Sequence, residues 1–333
     1  MERIVKLFFA GGTGFFGKAV LRYLQAQYRI QPAGRLPEQV VVLSRAPDDF
    51  LSRHPEFATL GWLRFHQGDI GQASSLPQNE RFTHVLHAAT DSTDASGLTY
   101  LQCYDQIVSG TRNLLDFAVT CGAQRFLLTS SGAVYGPQPT HLDRIPEDWR
   151  GIPDPLNPAN AYGIAKRAAE HLCALYGQAY GLHTVIARCF AFIGTDLPLD
   201  MHFAIGNFIR DALWRDEITV AGDGTPMRSY LDQHDLALWL LTLIDRGQSG
   251  QAYNVGSDQA ISIADLAHLV RNIVTPGKTI RILGKVSGNN NRSLYIPSIQ
   301  KAREELGLDV RISLAEAIRT TADAAIQRAN LGN

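Results

Sequence analysis

Tyr162 and Lys166 stand four residues apart in the stretch Tyr162-Gly163-Ile164-Ala165-Lys166. On a helix, that spacing puts both side chains on one face. An ammonium beside a phenol favours the phenolate and lowers a pKa that starts near ~10. A phenol tuned in this way gives a proton to a carbonyl oxygen or takes one from an alcohol. A Tyr/Lys pair is common by chance, and a second feature supports it. The run Leu128-Thr129-Ser130-Ser131-Gly132-Ala133-Val134-Tyr135-Gly136 brings hydroxyls to the end of an apolar strand. The C-terminal ends of strands are where parallel sheets place their chemistry.

The other chemical signal is Gly11-Gly12-Thr13-Gly14-Phe15-Phe16-Gly17, with glycines at 11, 14 and 17. It follows the first apolar strand and opens a helix. A turn this tight needs residues without Cβ, for its backbone angles and so that a pyrophosphate can come close. The helix then aims its first amides at the phosphates. Further on, Leu43-Ser44-Arg45 closes the second strand, where an acidic residue would bind the adenosine ribose. Arg45 can instead pair with a 2′-phosphate and Ser44 can donate to it. These residues favour NADP, with NAD the alternative if Arg45 is only a solvated cation.

The elements that must hold these residues alternate in type. Strands are expected at Ile4–Ala10, Gln39–Leu43, Trp62–His66, Thr83–Ala88, Gln124–Ser130 and His183–Arg188. Helices are expected at Gly14–Tyr28, Leu98–Cys121 and Ala159–Tyr180. Apolar strands each followed by a helix predict an α/β fold, a parallel sheet covered on both faces. After Phe190 the rhythm changes. Helices Phe203–Arg215, Gln233–Asp245, Ile263–Ile273 and Leu314–Ala329 and a strand near Ile218–Val220 predict a smaller C-terminal lobe. The division is set at residues 1–190 and 191–333, with parts of the chain crossing between them. Two polar loops, Pro137–Pro158 and Ser287–Arg292, are candidates to cover a site, the second equally a plain surface loop.

Composition narrows the classes. The chain has 333 residues, 45% hydrophobic and 19% charged, and a net charge of −1. That suits a globular enzyme and gives no excess of cations for nucleic acid or an anionic membrane. The four cysteines are scattered, with no metal-ligand spacing, and read as free thiols of a reducing compartment. No apolar run has the ~20 residues of a membrane span. A cytoplasmic location is expected, with no metal and no membrane.

Together these residues resemble the extended short-chain dehydrogenase/reductases, a group of nucleotide-sugar epimerases, dehydratases and reductases. The resemblance covers nearly the whole chain. It rests on the glycine turn, Gly68-Asp69-Ile70, Leu86-His87-Ala88-Ala89, Ser131…Tyr135-Gly136 and Tyr162…Lys166. Arg228-Ser229-Tyr230-Leu231 with Asp235-Leu236-Ala237 completes it. It implies a Rossmann doubly wound sheet with a smaller C-terminal α/β substrate lobe, and Ser131, Tyr162 and Lys166 as the catalytic set. Cofactor binding falls to Gly11, Thr13, Gly14, Phe15, Phe16, Gly17, Ser44, Arg45, Asp69, Ile70, Ala88 and Ala89, with Tyr162 and Lys166. Asp69 and Ile70 would flank the adenine. A nucleotide-sugar substrate would meet Thr90, Ser131, Asn207 and Arg228, the last on its diphosphate or else in a structural ion pair. The resemblance also implies a homodimer through Leu98–Cys121 and Ala159–Tyr180.

The departures discriminate among reactions. Where the 4,6-dehydratases of this group follow the catalytic Thr with Asp-Glu, this chain has Gly132-Ala133, which can neither give nor take a proton. The Cys that the GDP-fucose synthases carry at the position of Ala133 is also absent. Ala191, in Phe190-Ala191-Phe192, replaces a common substrate-contacting Asn, and Met201-His202-Phe203 is an unusual approach to the lobe helix. The expected activity is NADPH-dependent reduction of a nucleotide-linked 4-keto-6-deoxyhexose. The alternatives are an NAD-dependent 4-epimerase and, from another class, a non-catalytic NADP-binding regulator or RNA-associated protein.

Overall fold

The computed structural model describes residues 5–30, 36–90, 97–201, 203–285 and 293–331. Ser287–Arg292 and His202 lie outside the described residues. In chain order the first elements are β1 (Lys6–Ala10), α1 (Phe15–Ile30), β2 (Gln39–Ser44), α2 (Pro47–Arg53) and β3 (Leu63–Gln67). Next come β4 (His84–His87), α3 (Tyr100–Thr120), β5 (Arg125–Ser131), α4 (Ala161–Tyr180) and β6 (His183–Cys189). They are followed by β7 (Phe192–Ile193), α5 (Ala204–Trp214), β8 (Glu217–Val220), β9 (Met227–Arg228), β10 (Leu231–Asp232) and α6 (Gln233–Arg246). The chain ends with β11 (Gln251–Val255), β12 (Ile261–Ser262), α7 (Ile263–Val274), β13 (Thr279–Ile282), β14 (Leu294–Tyr295), α8 (Gln300–Leu306) and α9 (Leu314–Leu331).

The chain forms two compact units interleaved in sequence. The first comprises Met1–Val134, Pro153–Arg188 and Ala237–Tyr253, the second Tyr135–Ile152, Cys189–Leu236 and Asn254–Asn333. The first unit is built on a seven-stranded sheet in the order β11-β6-β5-β4-β1-β2-β3. Strands β3, β2, β1, β4 and β5 pair in parallel, and their order is the doubly wound one. Its register sets Val41, Phe8, Val85 and Phe126 in one row across the sheet, and all four are buried in one core cluster. Phe8 packs against Phe117 of α3, the rings tilted by 52° with centroids 4.6 Å apart. Burying such a ring is worth about 2–3 kcal/mol. Strands β1, β2, β4 and β5 are buried along nearly their whole length, as a sheet covered on both faces requires, while β3 at the sheet edge is only partly covered.

Two helix starts differ from expectation for local reasons. Helix α3 begins at Tyr100 because Thr99 caps it: the Gln102 N–H donates to Thr99 Oγ1 at 3.2 Å, and the Gln102 side chain accepts from the Thr99 N–H at 2.9 Å. Helix α4 begins at Ala161 because Pro158–Asn160 form a separate 3-10 turn, capped by Asn157. In the second unit, the part of the Pro137–Pro158 loop that ends at Ile152 is fastened at Ile145. Ile145 bridges in parallel to Pro297, donating to the Ile296 carbonyl and accepting from the Ser298 N–H, each at 2.8 Å. The buried Asn254 side chain accepts from the Tyr135 hydroxyl at 2.8 Å and donates to the Ile145 carbonyl at 2.8 Å. All four cysteines are buried, and none is in a disulfide. Among the described residues no helix is long and apolar enough to cross a membrane.

Candidate active site and cofactor groove

The glycine turn separates what the fold needs from what it does not. Gly11 has a φ of +94°, and a Cβ on it would stand 2.3 Å from the Ala88 carbonyl carbon. A Cβ on Gly12 would meet Val42 at 2.7 Å, and one on Gly17 would meet the Gly12 carbonyl at 2.1 Å. Gly14 is different. It is exposed, and the nearest atom to its Cβ position is the Gly11 oxygen, an ordinary contact at 3.6 Å. Among the described residues nothing crowds the Cβ position of residue 14, whereas a phosphate approaching the backbone would. Helix α1 has no acidic residue in its first turn, so its positive end is not offset by the chain. The turn therefore fits a dinucleotide pyrophosphate.

A groove of about 200 Å³ runs from this turn. Gly11, Thr13, Gly14, Ser44 and Arg45 line it, and so do Asp69, Ile70, Ala88, Ala89 and Thr90. Phe15, Phe16 and Gly17 lie in the first turn of α1 instead. Ser44 is buried at the end of β2, and its Oγ accepts from the Ala46 N–H at 3.3 Å, while Arg45 is exposed. Asp69 is partly committed to its own turn: its Oδ1 accepts from the Gly71 N–H at 2.7 Å, and its N–H donates to Ser75 Oγ at 2.9 Å. Ile70 packs onto α3, where a Cβ on Gly110 would come within 2.6 Å of it.

Strand β5 ends at Ser131, whose buried hydroxyl oxygen accepts from the Ala133 N–H at 3.1 Å. Gly132 and Ala133 sit in the 3-10 turn that follows, so neither position carries an acid or base side chain. Tyr162 and Lys166 lie one turn apart at the start of α4. Lys166 is 2% exposed. Its ammonium donates to Thr90 Oγ1 and to the Thr129 carbonyl, both at 2.8 Å, and lies 5.8 Å from the centre of the Tyr162 ring. The same lysine is thus fixed under the phenol by β5 and by Thr90. His87, at the end of β4, is 1% exposed. Burial first, and the Lys166 charge second, push its imidazole down to about 3. It is neutral at physiological pH and adds no second cation beside Lys166. One ring nitrogen bonds Thr111 Oγ1 at 3.1 Å, and Nδ1 has no partner among the described residues.

The other two substrate candidates belong to the second unit. Asn207, in α5, accepts from Arg210 at 3.1 Å. Arg228, in β9, donates to the Met227 carbonyl at 2.8 Å, the Ser293 carbonyl at 3.0 Å and Ser293 Oγ at 3.4 Å. None of these partners is a carboxylate.

Sequence reasoning missed several residues here. Gln106 of α3 lines the groove. Thr129 lends its carbonyl to Lys166, and Glu170 and Arg188 pair at 2.8 Å behind the end of β5. Glu170 lies one turn beyond Lys166, which was the available signal.

A model of the NAD dependent epimerase/dehydratase family matches residues 7–256. The UDP-glucuronic acid decarboxylase 1 of Arabidopsis thaliana is 32% identical over 324 residues, 92% of this chain and 72% of that protein. The UDP-glucuronic acid decarboxylase 1 of Xenopus tropicalis is 32% identical over 212 residues, 64% of this chain and 49% of that protein. Among solved structures, the UDP-glucose 4-epimerase of Thermotoga maritima with UDP-glucose has a TM-score of 0.80 at 22% identity, over 98% of this chain and 100% of that one. RMD from Pseudomonas aeruginosa, complexed with NADPH, has a TM-score of 0.77 at 26% identity, over 97% and 99%.

Proposed function

This chain belongs to the NAD dependent epimerase/dehydratase family and is an enzyme, and on that premise we propose that it is an NADP(H)-dependent reductase of a nucleotide-linked 4-keto-6-deoxyhexose. One observation carries the reading: beside Ser131, positions 132 and 133 hold only Gly and Ala. The acid and base that elimination or inversion at a neighbouring carbon would need have no side chain there. What remains serves one hydride and one proton at one carbon.

A bound nicotinamide supplies the hydride. Ser131 holds the C4 oxygen, and the Tyr162 phenol gives it the proton. Lys166, fixed by Thr129 and Thr90, steadies the phenolate that results. In this reading Arg45 and Ser44 meet the 2′-phosphate. The P. aeruginosa relative of known structure holds NADPH, while other solved neighbours hold NAD, so the choice of NADP rests on Ser44 and Arg45.

A second reading is favoured by the 32% identity to UDP-glucuronic acid decarboxylase over 92% of the chain. It is a closed cycle on NAD, an epimerisation or decarboxylation in which C4 is oxidised and reduced again. Tyr162 would then take the C4 hydroxyl proton and later return it.

The test is direct. Purified protein with NADPH should consume it when given a dTDP- or CDP-4-keto-6-deoxyhexose. NADPH left intact across that panel, with UDP-glucose or UDP-glucuronate converted without added cofactor, would replace the reductase by the closed cycle.

A further inference from the structure

One face of helix α4 grips the segment that carries Ser131. Gly163 passes so close to Ala133 that a Cβ would stand 2.8 Å from its carbonyl oxygen. Lys166 donates to the Thr129 carbonyl at 2.8 Å, and Arg167 to the Val134 carbonyl at 2.9 Å. Glu170 Oε1 accepts from the Ser130 hydroxyl at 2.6 Å. Positions 163, 166, 167 and 170 follow the i, i+3, i+4, i+7 spacing of a single helix face. The residues they hold flank Ser131 on both sides.

Glu170 is itself held from the sheet. Arg188 of β6 donates Nε to Oε1 at 3.0 Å and Nη2 to Oε2 at 2.8 Å. The two side chains are 15% and 13% exposed, so the pair is largely out of water. A fork-to-fork pair fixes the plane of the carboxylate. The short, charge-assisted bond from Ser130 then ties the last turn of β5 to that fixed plane. Ser131 is the next residue, and its own hydroxyl donates to no group among the described residues.

We propose that Glu170, braced by Arg188, is a positioning residue that acts through Ser130 to set where the Ser131 hydroxyl stands relative to Tyr162. This rests on the reading of Ser131 and Tyr162 as the groups that handle the C4 oxygen. It holds for either a reductase or a closed cycle, since both use the same pair. A displacement of an ångström at such a site lowers rates by about a hundredfold.

Ser130→Ala removes the tie and leaves the Glu170–Arg188 pair in place. Its kcat should fall about ten- to a hundredfold. KM, NADPH affinity and melting temperature should stay near wild type. Ser130→Thr, which keeps a hydroxyl, should restore most of the rate. Amide exchange of residues 129–134, followed by mass spectrometry on the NADPH complex, should quicken in Ser130→Ala and not in Ser130→Thr. Glu170→Gln strands a buried guanidinium and can unfold the chain, so the serine pair decides. The substrates are a dTDP-4-keto-6-deoxyhexose, UDP-glucose and UDP-glucuronate, with Tyr162→Phe run beside them. Full activity in Tyr162→Phe would sink the proton-handling reading and this proposal with it. An inactive Tyr162→Phe beside a Ser130→Ala of wild-type kcat overturns the positioning role alone. Unchanged amide exchange in Ser130→Ala does the same without any substrate.

Discussion

Gly17 and Gly12 touch backbone to backbone: a Cβ on Gly17 would stand 2.1 Å from the Gly12 carbonyl. Helix α1 can start where it does only because of that contact. Gly14, two residues past Gly12, has no such neighbour among the described residues.

The glycines should therefore separate by assay. Gly17→Ala should cost more than about 3 kcal/mol or prevent folding, as a backbone clash does. Gly14→Ala should change stability by less than about 0.5 kcal/mol. Its NADPH affinity should drop about tenfold or more, because the added methyl stands where the phosphates approach. Fluorescence titration with NADPH alongside urea melts checks both. An undiminished affinity in Gly14→Ala would remove the pyrophosphate from this turn.

Tyr162→Phe removes the acidic proton and keeps the ring above Lys166. Turnover should fall by about 10²–10⁴-fold, with cofactor affinity within about twofold of wild type. Single-turnover rates measured with saturating cofactor report the chemical step directly. A wild-type rate would take the proton away from this residue.

Arg45 is exposed at the end of β2 on the groove wall. Arg45→Ala should weaken NADPH by about tenfold or more, the worth of a charge-assisted contact to phosphate. NADH should be nearly unaffected. Equal losses for the two cofactors, measured by calorimetry, would end the case for a 2′-phosphate site.

Asp232 makes stability depend on pH. The residue is 6% exposed. Burial raises its pKa to about 6, Asp235 and Glu316 add to the rise, and a bond from the His234 N–H opposes it. The folded pKa is above the unfolded one, near ~4. The folded state is therefore favoured most below pH ~4 and loses that advantage as pH rises through about 6. Asp232→Asn keeps the acceptor for His234 and removes the charge. It should be more stable than wild type by about 1–3 kcal/mol at pH 8 and equal to it near pH 4. His87 works in the opposite direction, since its pKa is lowered to about 3 and the folded state loses stability as pH falls below ~6.5. Only the difference between variant and wild type isolates Asp232. A gap that does not vary with pH in urea melts would contradict the assignment.

Much of the first unit is legible residue by residue. Leu7–Ala10, Val40–Leu43 and Phe126–Leu128 are solid apolar runs because strands covered on both faces need them. Helix α2 is not legible. Only Phe50 of its seven residues is buried, and two aspartates fill its first turn, so it has no apolar stripe to read. Strand β11 is hidden for another reason: Gln251 and Asn254 interrupt it, and its neighbour in the sheet is the distant β6. In the site, Tyr162, Lys166 and Ser131 stand out by type and spacing. Glu170 and Arg188 look like ordinary surface charges in sequence, and only the meeting of α4 with β6 shows them buried together. Arg228 announces its charge, but its anchor on Ser293 lies 65 residues away.

The interleaving of the two units bears on how the chain is made. The ribosome releases β6 long before β11, its partner at the sheet edge, exists. Until Val255 has emerged, the nascent first unit carries an open strand edge, the kind of surface that recruits other chains. Synthesis must also supply one segment of the second unit, Cys189–Leu236, in between. Neither unit can be finished by a fragment that stops at the boundary of the other. Folding of this enzyme is therefore bound to near-complete translation, and ribosome pausing before Val255 would prolong the interval in which β6 is exposed to aggregation or to chaperones.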